Sequence, residues 1–233
     1  LEIGCGIGAD GYEFARYGAN YTGVDLTSSA VDLTRERFRE AGVPGTFQVA
    51  NAENLLFEDA SFDHVYSFGV IHHSLNPGRI VAEAYRVLRP GGTITAMLYN
   101  RDSINYRVEI MGIRKVFRHL LRPRWAPDLF AKLTGIEREK LARHRKMYLE
   151  EGAVDDARWV SMNTDGPDCP LAQVYDAEEA AELFADFGDL DQRVRFFDWR
   201  HWPGIGPRLP AFVIRRLGHR WGWHRIVHGR KGG

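Results

Sequence analysis

Short apolar runs alternate with helix-like apolar patterns through the first hundred residues of the chain. The apolar runs predict five strands, and between most of them apolar residues recur at helical spacing. The predicted strands are Leu1 to Ile3, Tyr21 to Val24, Thr46 to Ala50, Phe62 to Phe68 and Thr93 to Tyr99. Strands that alternate with helices pair in parallel, because each helix returns the chain to the same end of the sheet. We therefore predict an α/β fold with a doubly wound sheet.

Capping residues place the starts of two of the intervening helices. Thr27 or Ser28 can cap a helix that runs to Glu40. Asn76 followed by Pro77 combines a favoured capping residue with a favoured first helical residue, and this pair predicts the start of the helix before the fifth strand.

The pattern changes after Asn100. Two long helical patterns follow, Ser103 to Leu121 and Pro127 to Glu150, and no strand is evident among them. Asp176 and Glu179 then have the spacing of a capping box, which predicts another helix.

Two final strands are predicted at Leu190 to Asp198 and Trp223 to His228. We therefore divide the chain into a core at 1–100, a helical cap at 101–175, and a segment at 176–233 that completes the core sheet.

The composition is that of an ordinary globular protein, since 44% of the 233 residues are hydrophobic and 27% are charged. No apolar run approaches the length of a membrane span and no leader-like segment precedes the first strand, so we expect a cytoplasmic protein. Cys5 and Cys169 are expected to be thiols, and the spacing of possible ligands predicts no metal site.

The net charge of zero conceals a segregation of charge along the chain. Residues 100–146 contain thirteen Lys and Arg and five acidic residues, a net charge of +8. From Pro207 onward there are seven basic residues and no acidic residue. The basic character therefore belongs to particular segments, and the rest of the chain is acidic.

A glycine-rich turn follows the first strand in the segment LEIGCGIGAD. Gly4, Gly6 and Gly8 permit a tight turn and a close approach of a ligand to the backbone. The pattern also satisfies the permissive dinucleotide fingerprint, with Asp25 placed as a ribose-binding acid. By itself the turn therefore leaves open a nicotinamide cofactor.

The charge of Glu2 separates the possible ligands. A pyrophosphate beside this carboxylate would be repelled, whereas ammonium and sulfonium groups would be attracted. S-adenosylmethionine carries both cationic groups, a carboxylate that suits the loop amides, and a ribose whose two hydroxyls can share Asp25. The residues therefore favour a ligand that is cationic near Glu2.

The segments LEIGCGIG, GVDLTSSAV, NAENLLFEDASFDHVYSFGVIHH and RVLRPGGTITAMLYN follow one another over Leu1 to Asn100. This series resembles the successive blocks of the class I S-adenosylmethionine-dependent methyltransferases. The resemblance implies a Rossmann-like sheet of seven strands with the last strand antiparallel, and S-adenosylhomocysteine as the product. Members of this family usually have one or two helices before the first strand, so the resemblance also implies that N-terminal helices are missing.

The resemblance assigns the cofactor contacts residue by residue. Gly4, Gly6 and Gly8 would surround the methionyl part of the cofactor, with Glu2 close by, and Asp25 would hold the ribose hydroxyls. The other implied contacts are Leu26 on the adenine face, Asn51 and Ala52 at the adenine edge, and Ser67 and Phe68 beside the methionine and the transferable methyl group. The family more often has Asp at the position of Asn51, but the carbonyl of Asn51 can still accept a hydrogen bond.

Methyl transfer is an in-line displacement that needs alignment, exclusion of water and, for some acceptors, removal of a proton. His73 and His72 follow the fourth strand, at the edge where open α/β sheets bind ligands, and either could serve as base. The alternative is that they only pack against the cofactor or cap the next helix. Tyr99, Asn100 and Tyr106, at and after the fifth strand, are candidate substrate contacts.

The segment SINYRVEIMGIRKVFRHLLRPRW combines basic residues with apolar residues near helical spacing. We predict a lid helix whose apolar side covers the active site and whose basic side is solvated. A second interpretation is a contact between residues 101–146 and an anionic membrane or lipid-linked substrate. Nucleic-acid binding would use the same basic residues, but Ser67 to Val70 lack the motif of base amino-methylases.

The segments NYRVEIM, NTDGPDCPLAQVYDAEEA and GWHRIVHGRK are typical of a bacterial subgroup of these enzymes. We therefore predict an S-adenosylmethionine-dependent methyltransferase that acts on a small-molecule or lipid-like acceptor. The acceptor atom and the oligomeric state stay open. Two alternatives are a nicotinamide-dependent oxidoreductase and a protein that keeps the cofactor site without turnover.

Overall fold

The computed structural model describes residues 1–150, 152, 154–166, 169–202 and 205–233. The chain forms two compact units. The first unit consists of Leu1–Tyr99, Tyr175–Arg193 and Arg225–Gly233, and the second of Asn100–Val174 and Val194–His224. The division expected from the sequence places all of 176–233 with the core sheet, whereas residues 194–224 belong to the second unit.

The described strands are β1 (Glu2–Ile3), β2 (Thr22–Asp25), β3 (Thr46–Val49), β4 (Phe62–Phe68), β5 (Leu88–Asn100), β6 (Val174–Tyr175), β7 (Gly188–Arg195) and β8 (His224–Arg230). Their order across the sheet is β3-β2-β1-β4-β5-β8-β7, and the short β6 pairs with β5 beside this path. The first five strands pair in parallel. This order confirms the predicted doubly wound sheet.

The last strand is antiparallel to β5. Lys231, beyond the end of β8, exchanges backbone hydrogen bonds with Gly91 and Gly92 near the start of β5. At the other end of β5, the amide of Asn100 donates to the carbonyl of Trp223, the residue before β8. This pairing confirms the antiparallel last strand.

The described α-helices are α1 (Ala9–Arg16), α2 (Ser28–Ala41), α3 (Pro77–Val87), α4 (Arg114–Leu120), α5 (Ala126–Thr134), α6 (Arg138–Glu150), α7 (Asp156–Thr164), α8 (Ala177–Leu183) and α9 (Ala211–Trp221). A π-helix, Asn105–Ile113, precedes α4, and a 3-10 turn, Ile71–His73, follows β4. None of the described helices combines the length and the apolar composition that a membrane span requires.

Two predicted helix starts form with the expected side chains. The Thr27 hydroxyl accepts from the amide of Ala30 at the start of α2. Asp176 and Glu179 form the complete capping box of α8. Asn76 occupies the N-cap position of α3, but its side chain makes no capping bond there, so this helix relies on Pro77 and on buried packing.

The core of the first unit lies between the sheet and the helices on one of its faces. Ile3, Val65, Ile94 and Leu98 supply the sheet side of this cluster. Helix α3 adds Ile80, Val81, Ala84 and Val87, and Phe184 and Phe187 lie at and beyond the end of α8. Each fully buried large apolar side chain stabilises the fold by about 1.5–3 kcal/mol. This packing holds the parallel strands in register, so that their carboxyl ends meet at one edge.

The second unit has its own core. Leu121, Leu141, Tyr148, Trp159 and Met162 pack together in its interior. The indole N–H of Trp159 donates to a carbonyl of the π-helix at 2.9 Å, which satisfies this buried donor.

The predicted helix Pro127 to Glu150 is wrong in one respect, because it is two helices. Gly135 adopts a left-handed φ of 71° and ends α5. Glycine adopts this conformation without steric cost, so the helix ends there. Helix α7 and the short strand β6 were not predicted.

Candidate cofactor and active site

The glycine loop between β1 and α1 is tightly fitted at two of its three glycines. Gly4, Gly6 and Gly8 all have positive φ, at 78°, 52° and 71°. A Cβ atom at Gly4 would lie 2.1 Å from Val70, and one at Gly8 would lie 2.7 Å from Thr34. A Cβ atom at Gly6 would meet nothing within 4 Å. Gly4 and Gly8 therefore serve packing, whereas Gly6 faces the open space that a ligand can approach.

The amides of this loop are largely used within the protein. The amides of Gly4 and Cys5 donate to a carbonyl of β2, and that of Gly8 donates to the carbonyl of Cys5 at 2.8 Å. The amide of Gly6 donates to the carboxylate of Asp25 at 3.0 Å. A pyrophosphate site needs loop amides that point at the ligand. This loop offers few of them, so it does not suit a diphosphate. The expected contact between the loop amides and the carboxylate of S-adenosylmethionine is limited in the same way and stays a prediction.

The start of α1 also disfavours an anion. Asp10 lies in the first turn of α1, where its negative charge offsets the partial positive charge of the helix N-terminus and leaves less of it for a bound anion. Its carboxylate accepts a hydrogen bond from the hydroxyl of Tyr66 at 3.1 Å. The helix N-terminus is therefore already provided with a carboxylate.

Asp25 is fixed at the carboxyl end of β2, beside the glycine loop. One carboxylate oxygen accepts from Gly6, and the other accepts from the amide and the hydroxyl of Thr27, both at 3.0 Å. A carboxylate oxygen has more than one lone pair, so the ribose hydroxyls of a cofactor can still donate to it. Leu26 follows, and its side chain is 70% exposed, which leaves an apolar surface for a ring. These two positions fit the predicted ribose and adenine contacts.

The loop is also held from α2. The hydroxyl of Thr34, which is fully buried, donates to the carbonyl of Gly6 at 2.8 Å, and Arg37 donates to the carbonyl of Ile7 at 2.7 Å. We did not predict these supports. A signal existed for Thr34, because it lies with Val31 and Phe38 on the buried stripe of α2, where a hydroxyl needs a partner.

Two predicted contacts have side chains that are already used. The side-chain carbonyl of Asn51 accepts from the amide of Glu53 at 3.0 Å, in a local turn. The buried hydroxyl of Ser67 donates to the carbonyl of Ile3 at 3.2 Å and joins β4 to β1. Ala52, next to Asn51, is half-buried. Their roles toward a cofactor stay predictions.

Phe68 ends β4 with an exposed ring. Its ring lies nearly parallel to that of Tyr66, with the centroids 6.1 Å apart. An exposed aromatic ring at the carboxyl end of a central strand suits contact with a ligand.

Glu2 lies in the buried part of the sheet. It is 5% exposed, and the hydroxyl of Tyr21 donates to its carboxylate. Burial raises the pKa of Glu2 to about 7, and the hydrogen bond from Tyr21 opposes this shift. The carboxyl group is therefore only partly ionised near neutral pH, and a cationic group close to it would favour its ionised form. The predicted contact between Glu2 and the cofactor stays a prediction.

The two histidines after β4 have different environments. The ring of His72 is fully buried, 3.8 Å from that of Tyr99 and 4.4 Å from that of His73, measured between centroids. His73 is half-buried, and its ring meets Tyr99 edge-on at 5.8 Å. His72 therefore packs as a core residue, and His73 is the better placed of the two to reach a ligand.

The other predicted substrate contacts lie in the second unit. The side-chain amide of Asn100 donates to the carbonyl of Gly222 at 2.8 Å, and its carbonyl accepts from the amide of Asp102 at 3.1 Å. Asn100 is buried and therefore holds the backbone of this unit. Tyr106 is half-buried on the π-helix. Contact of either residue with a substrate stays a prediction.

Cys5 and Cys169 are thiols and do not form a disulfide bond, as predicted. Burial raises the pKa of Cys5 to about 11, so its thiol stays protonated in the glycine loop. Burial also raises the pKa of Cys169, whose thiol lies 3.3 Å from the carbonyl of Leu171. Neither environment favours a reactive thiolate.

Comparisons with known proteins agree with this geometry. Residues 1–96 match a methyltransferase domain family. Over 176 residues, which are 75% of this chain, the sequence is 30% identical to a ubiquinone biosynthesis O-methyltransferase of Aromatoleum aromaticum and covers 70% of that protein. Matches to other proteins of this name cover as little as 51% of the relative's length.

Solved structures share the fold. A SAM-dependent methyltransferase from Methanosarcina mazei is similar with a TM-score of 0.57 and 21% identity, over 100% of this chain and 91% of that chain. The [4+2]-cyclase SpnF is similar with a TM-score of 0.57 and 18% identity, over 100% of this chain and 73% of that chain. One of these proteins is named for a cyclisation, so the structural likeness shows the fold alone.

Proposed function

The chain belongs to the class I S-adenosylmethionine-dependent methyltransferases, and from this membership we propose that it methylates a hydroxyl oxygen of a small, lipid-like acceptor. The cofactor follows from the family. The similarity to proteins named ubiquinone biosynthesis O-methyltransferase supports an oxygen acceptor. The comparisons do not support the nicotinamide alternative.

The structural observation that supports the cofactor part of the proposal is the carboxylate of Asp25, fixed beside a loop most of whose amides are used within the protein. When bound, S-adenosylmethionine supplies an electrophilic methyl group on a sulfonium. Asp25 would hold the ribose hydroxyls, and the exposed side chains of Leu26 and Phe68 would contact the apolar surfaces. Gly6 leaves the backbone open to close approach. Together these residues would orient a neutral nucleoside, and they offer few hydrogen-bond donors to a diphosphate.

A hydroxyl acceptor has to lose a proton as the new bond to carbon forms. We assign this proton to His73, because His72 is fully buried and His73 is not. The ring of Tyr99, which touches both histidines, would fix the orientation of the imidazole. A positioned base of this kind contributes about 10²- to 10⁴-fold to a rate.

Turnover with a set of acceptors tests the proposal. The protein is incubated with S-adenosylmethionine and with matched apolar phenol, aniline and thiophenol compounds, and S-adenosylhomocysteine is measured. We expect product with the phenol, and a loss of roughly 100-fold or more in kcat for His73→Asn at unchanged cofactor affinity. Methylation of the aniline or thiophenol alone would exclude an oxygen acceptor. Binding of the cofactor with no turnover on any acceptor would favour a protein without catalysis.

We further propose that the second unit contacts an anionic membrane surface. Five large apolar side chains on α4, α5 and the turn between them are more than 40% exposed, namely Val116, Leu120, Trp125, Leu129 and Leu133. Basic residues lie in the same segment, among them the exposed Arg122, Arg124 and Lys132. Exposed apolar and aromatic side chains flanked by cations are typical of surfaces that enter the headgroup region of a bilayer.

A further inference from the structure

A cavity of about 390 Å³ lies within the second unit. Its apolar lining comes from Ile113 at the end of the π-helix, Phe117 on α4, Ile136 between α5 and α6, and Leu141 on α6. A neighbouring cavity of about 330 Å³ shares three of its lining residues, and we call the two together the basic cavity. Apolar side chains from several elements therefore surround a space large enough for a small ligand.

The shared residues of the basic cavity are cationic or polar. Arg114 on α4 and Lys140 and His144 on α6 line both parts, and Arg143 lines the smaller part. Arg143 and His144 lie three and four residues after Lys140, so one face of α6 presents all of them. The basic cavity is thus apolar at one part of its wall and basic at another.

The positive charge of this wall is only partly balanced. Glu109, which is buried, forms an ion pair with Arg114. Lys140 and Arg143 have no acidic side chain within 4.0 Å among the residues that the structure describes. Two cations therefore remain available to an anionic group, beside the imidazole of His144.

The environment of His144 agrees with a positive field. Burial lowers the pKa of His144, and the nearby charges of Arg114, Lys140 and Arg143 lower it further. Its imidazole is therefore neutral near pH 7 and can donate one hydrogen bond to an anion. Tyr148 packs edge-on against it and limits its movement.

We propose that the basic cavity binds an anionic amphiphile, a molecule with one carboxylate or phosphate head on an apolar chain. The head would lie at Lys140, Arg143 and His144, and the chain would lie along Phe117, Ile136 and Leu141. A head without a chain would leave the apolar wall in water, and a neutral chain would leave the two cations unpaired. None of its lining residues is a predicted cofactor contact, so its occupancy is measured without S-adenosylmethionine.

Binding of soluble amphiphiles to the full chain tests this inference. Dodecyl phosphate and dodecanoate, held below their micelle concentrations, are compared by calorimetry with inorganic phosphate and with a neutral dodecyl glycoside. We expect both anionic amphiphiles to bind at least about tenfold more tightly than either control, because only they satisfy both parts of the wall. Circular dichroism at each endpoint checks that the chain stays folded.

Variants on the surface of α6 locate the site. In the double variant Lys140→Ala, Arg143→Ala we expect the affinity for dodecyl phosphate to fall by about tenfold or more. Lys146→Ala is the matched control, because Lys146 lies on the same helix, pairs with Glu150 and does not line the cavity. Its affinity should stay within about twofold of the parent chain. Ile113→Ser, at a half-exposed part of the lining, should weaken dodecyl phosphate binding and leave the weak binding of inorganic phosphate unchanged.

Three results would overturn the inference. Equal affinity of the neutral glycoside would show an apolar site without charge selection. Equal affinity of the double variant and of Lys146→Ala would place the bound anion elsewhere. Binding to phosphatidylglycerol vesicles without binding of any soluble amphiphile would show a membrane surface in place of a cavity. If the protein binds both the vesicles and the soluble amphiphiles, and the double variant weakens both, the head group can also come from a bilayer lipid.

Discussion

The carboxylate of Asp25 holds the backbone around the candidate site and is also the proposed contact of the ribose. It holds the glycine loop through Gly6 and its own turn through Thr27. The same oxygen atoms lie at the carboxyl end of β2, where the ribose of the cofactor is expected. The residue could be chosen from sequence because its spacing from the glycines is that of a ribose-binding acid. Its hydrogen bonds to the loop could not, since they depend on the pairing of β1 with β2.

Replacement of Asp25 tests its role toward the cofactor. We expect Asp25→Ala to weaken S-adenosylmethionine binding by roughly 1–3 kcal/mol, the scale of a lost charge-assisted hydrogen bond. Asp25→Asn can still accept a hydrogen bond from Gly6, so its affinity for S-adenosylmethionine should lie between those of Asp25→Ala and the parent chain. Asp32→Ala is the control, because this exposed acid pairs with Arg35 on α2. An unchanged affinity in a folded Asp25→Ala protein would show that the ribose lies elsewhere.

Burial of Glu2 gives the fold a pH dependence. Its pKa is raised from 4.5 to about 7, so the folded state holds a proton that the unfolded state releases between these values. The contribution of Glu2 to the free energy of unfolding therefore falls as the pH rises from about 4.5 to about 7. We expect Glu2→Gln to reduce this slope in urea unfolding at several pH values. The same slope in Glu2→Gln and in the exposed control Glu40→Gln would contradict the assignment.

At the scale of elements, the turn between β1 and α1 separates structural from functional glycines. Gly6 and Gly42 both have positive φ and open space where a Cβ atom would lie, but Gly42 ends α2 away from the cofactor contacts. We expect Gly6→Ala and Gly42→Ala to cost a similar free energy of unfolding, about 1 kcal/mol. Only Gly6→Ala should lower the affinity for S-adenosylmethionine, by about tenfold or more, because its methyl group occupies the ligand's approach.

Equal loss of cofactor affinity in both glycine variants would mean that strain, and not the approach of a ligand, explains the effect. No loss in either variant would place the cofactor away from this loop. Thermal unfolding of both proteins supplies the stability comparison.

The sequence predicts the first five strands and their helices well, because alternating apolar periods and caps such as Thr27 act locally. The prediction fails where pairing with a strand distant in sequence sets the bounds of an element. The fifth strand is predicted to begin at Thr93, but β5 begins at Leu88, which pairs with Phe62 before the register shifts. The division of Pro127 to Glu150 was missed although Gly135, which follows a last turn that contains Lys132, is a helix-end signal.

For the candidate site, sequence motifs mark positions but do not give the contacts of the side chains. The positions of Asp25 and Leu26 follow from a motif, and a motif also marks Ser67, whose hydroxyl is used between strands. His72 and His73 are equivalent in sequence, and burial distinguishes them, because His72 is fully buried against Tyr99 and His73 is half-buried. Thr34 and Tyr21 were missed because their partners are distant in the chain.

At the scale of the whole chain, charge is segregated although the net charge is zero. The sequence assigns the region after 176 to the sheet because it contains two strand patterns. These strands, β7 and β8, each begin or end in the second unit, so the strand pattern does not reveal the unit boundary. The basic residues of 100–146 all belong to the second unit.

Vesicle sedimentation tests the proposed membrane contact of the second unit. We expect binding to vesicles that contain phosphatidylglycerol and little binding to neutral phosphatidylcholine vesicles. High salt should weaken the binding to the phosphatidylglycerol vesicles. Trp125→Ser combined with Leu133→Ser should lower binding, since both side chains are more than 60% exposed. Tyr17→Ser, an exposed aromatic position of the first unit, is the control. Binding that is independent of lipid charge would contradict the proposal.

The central claim, a site for S-adenosylmethionine at the edge formed by Gly6 and Asp25, is tested most directly by calorimetry of the parent chain with S-adenosylmethionine, S-adenosylhomocysteine and NAD. We predict saturable binding of S-adenosylmethionine and S-adenosylhomocysteine at one site, and binding of NAD at least about 100-fold weaker. The reason is that most of the loop amides are used within the protein and Asp10 lies in the first turn of α1. Tight binding of NAD with none of S-adenosylmethionine would contradict the account.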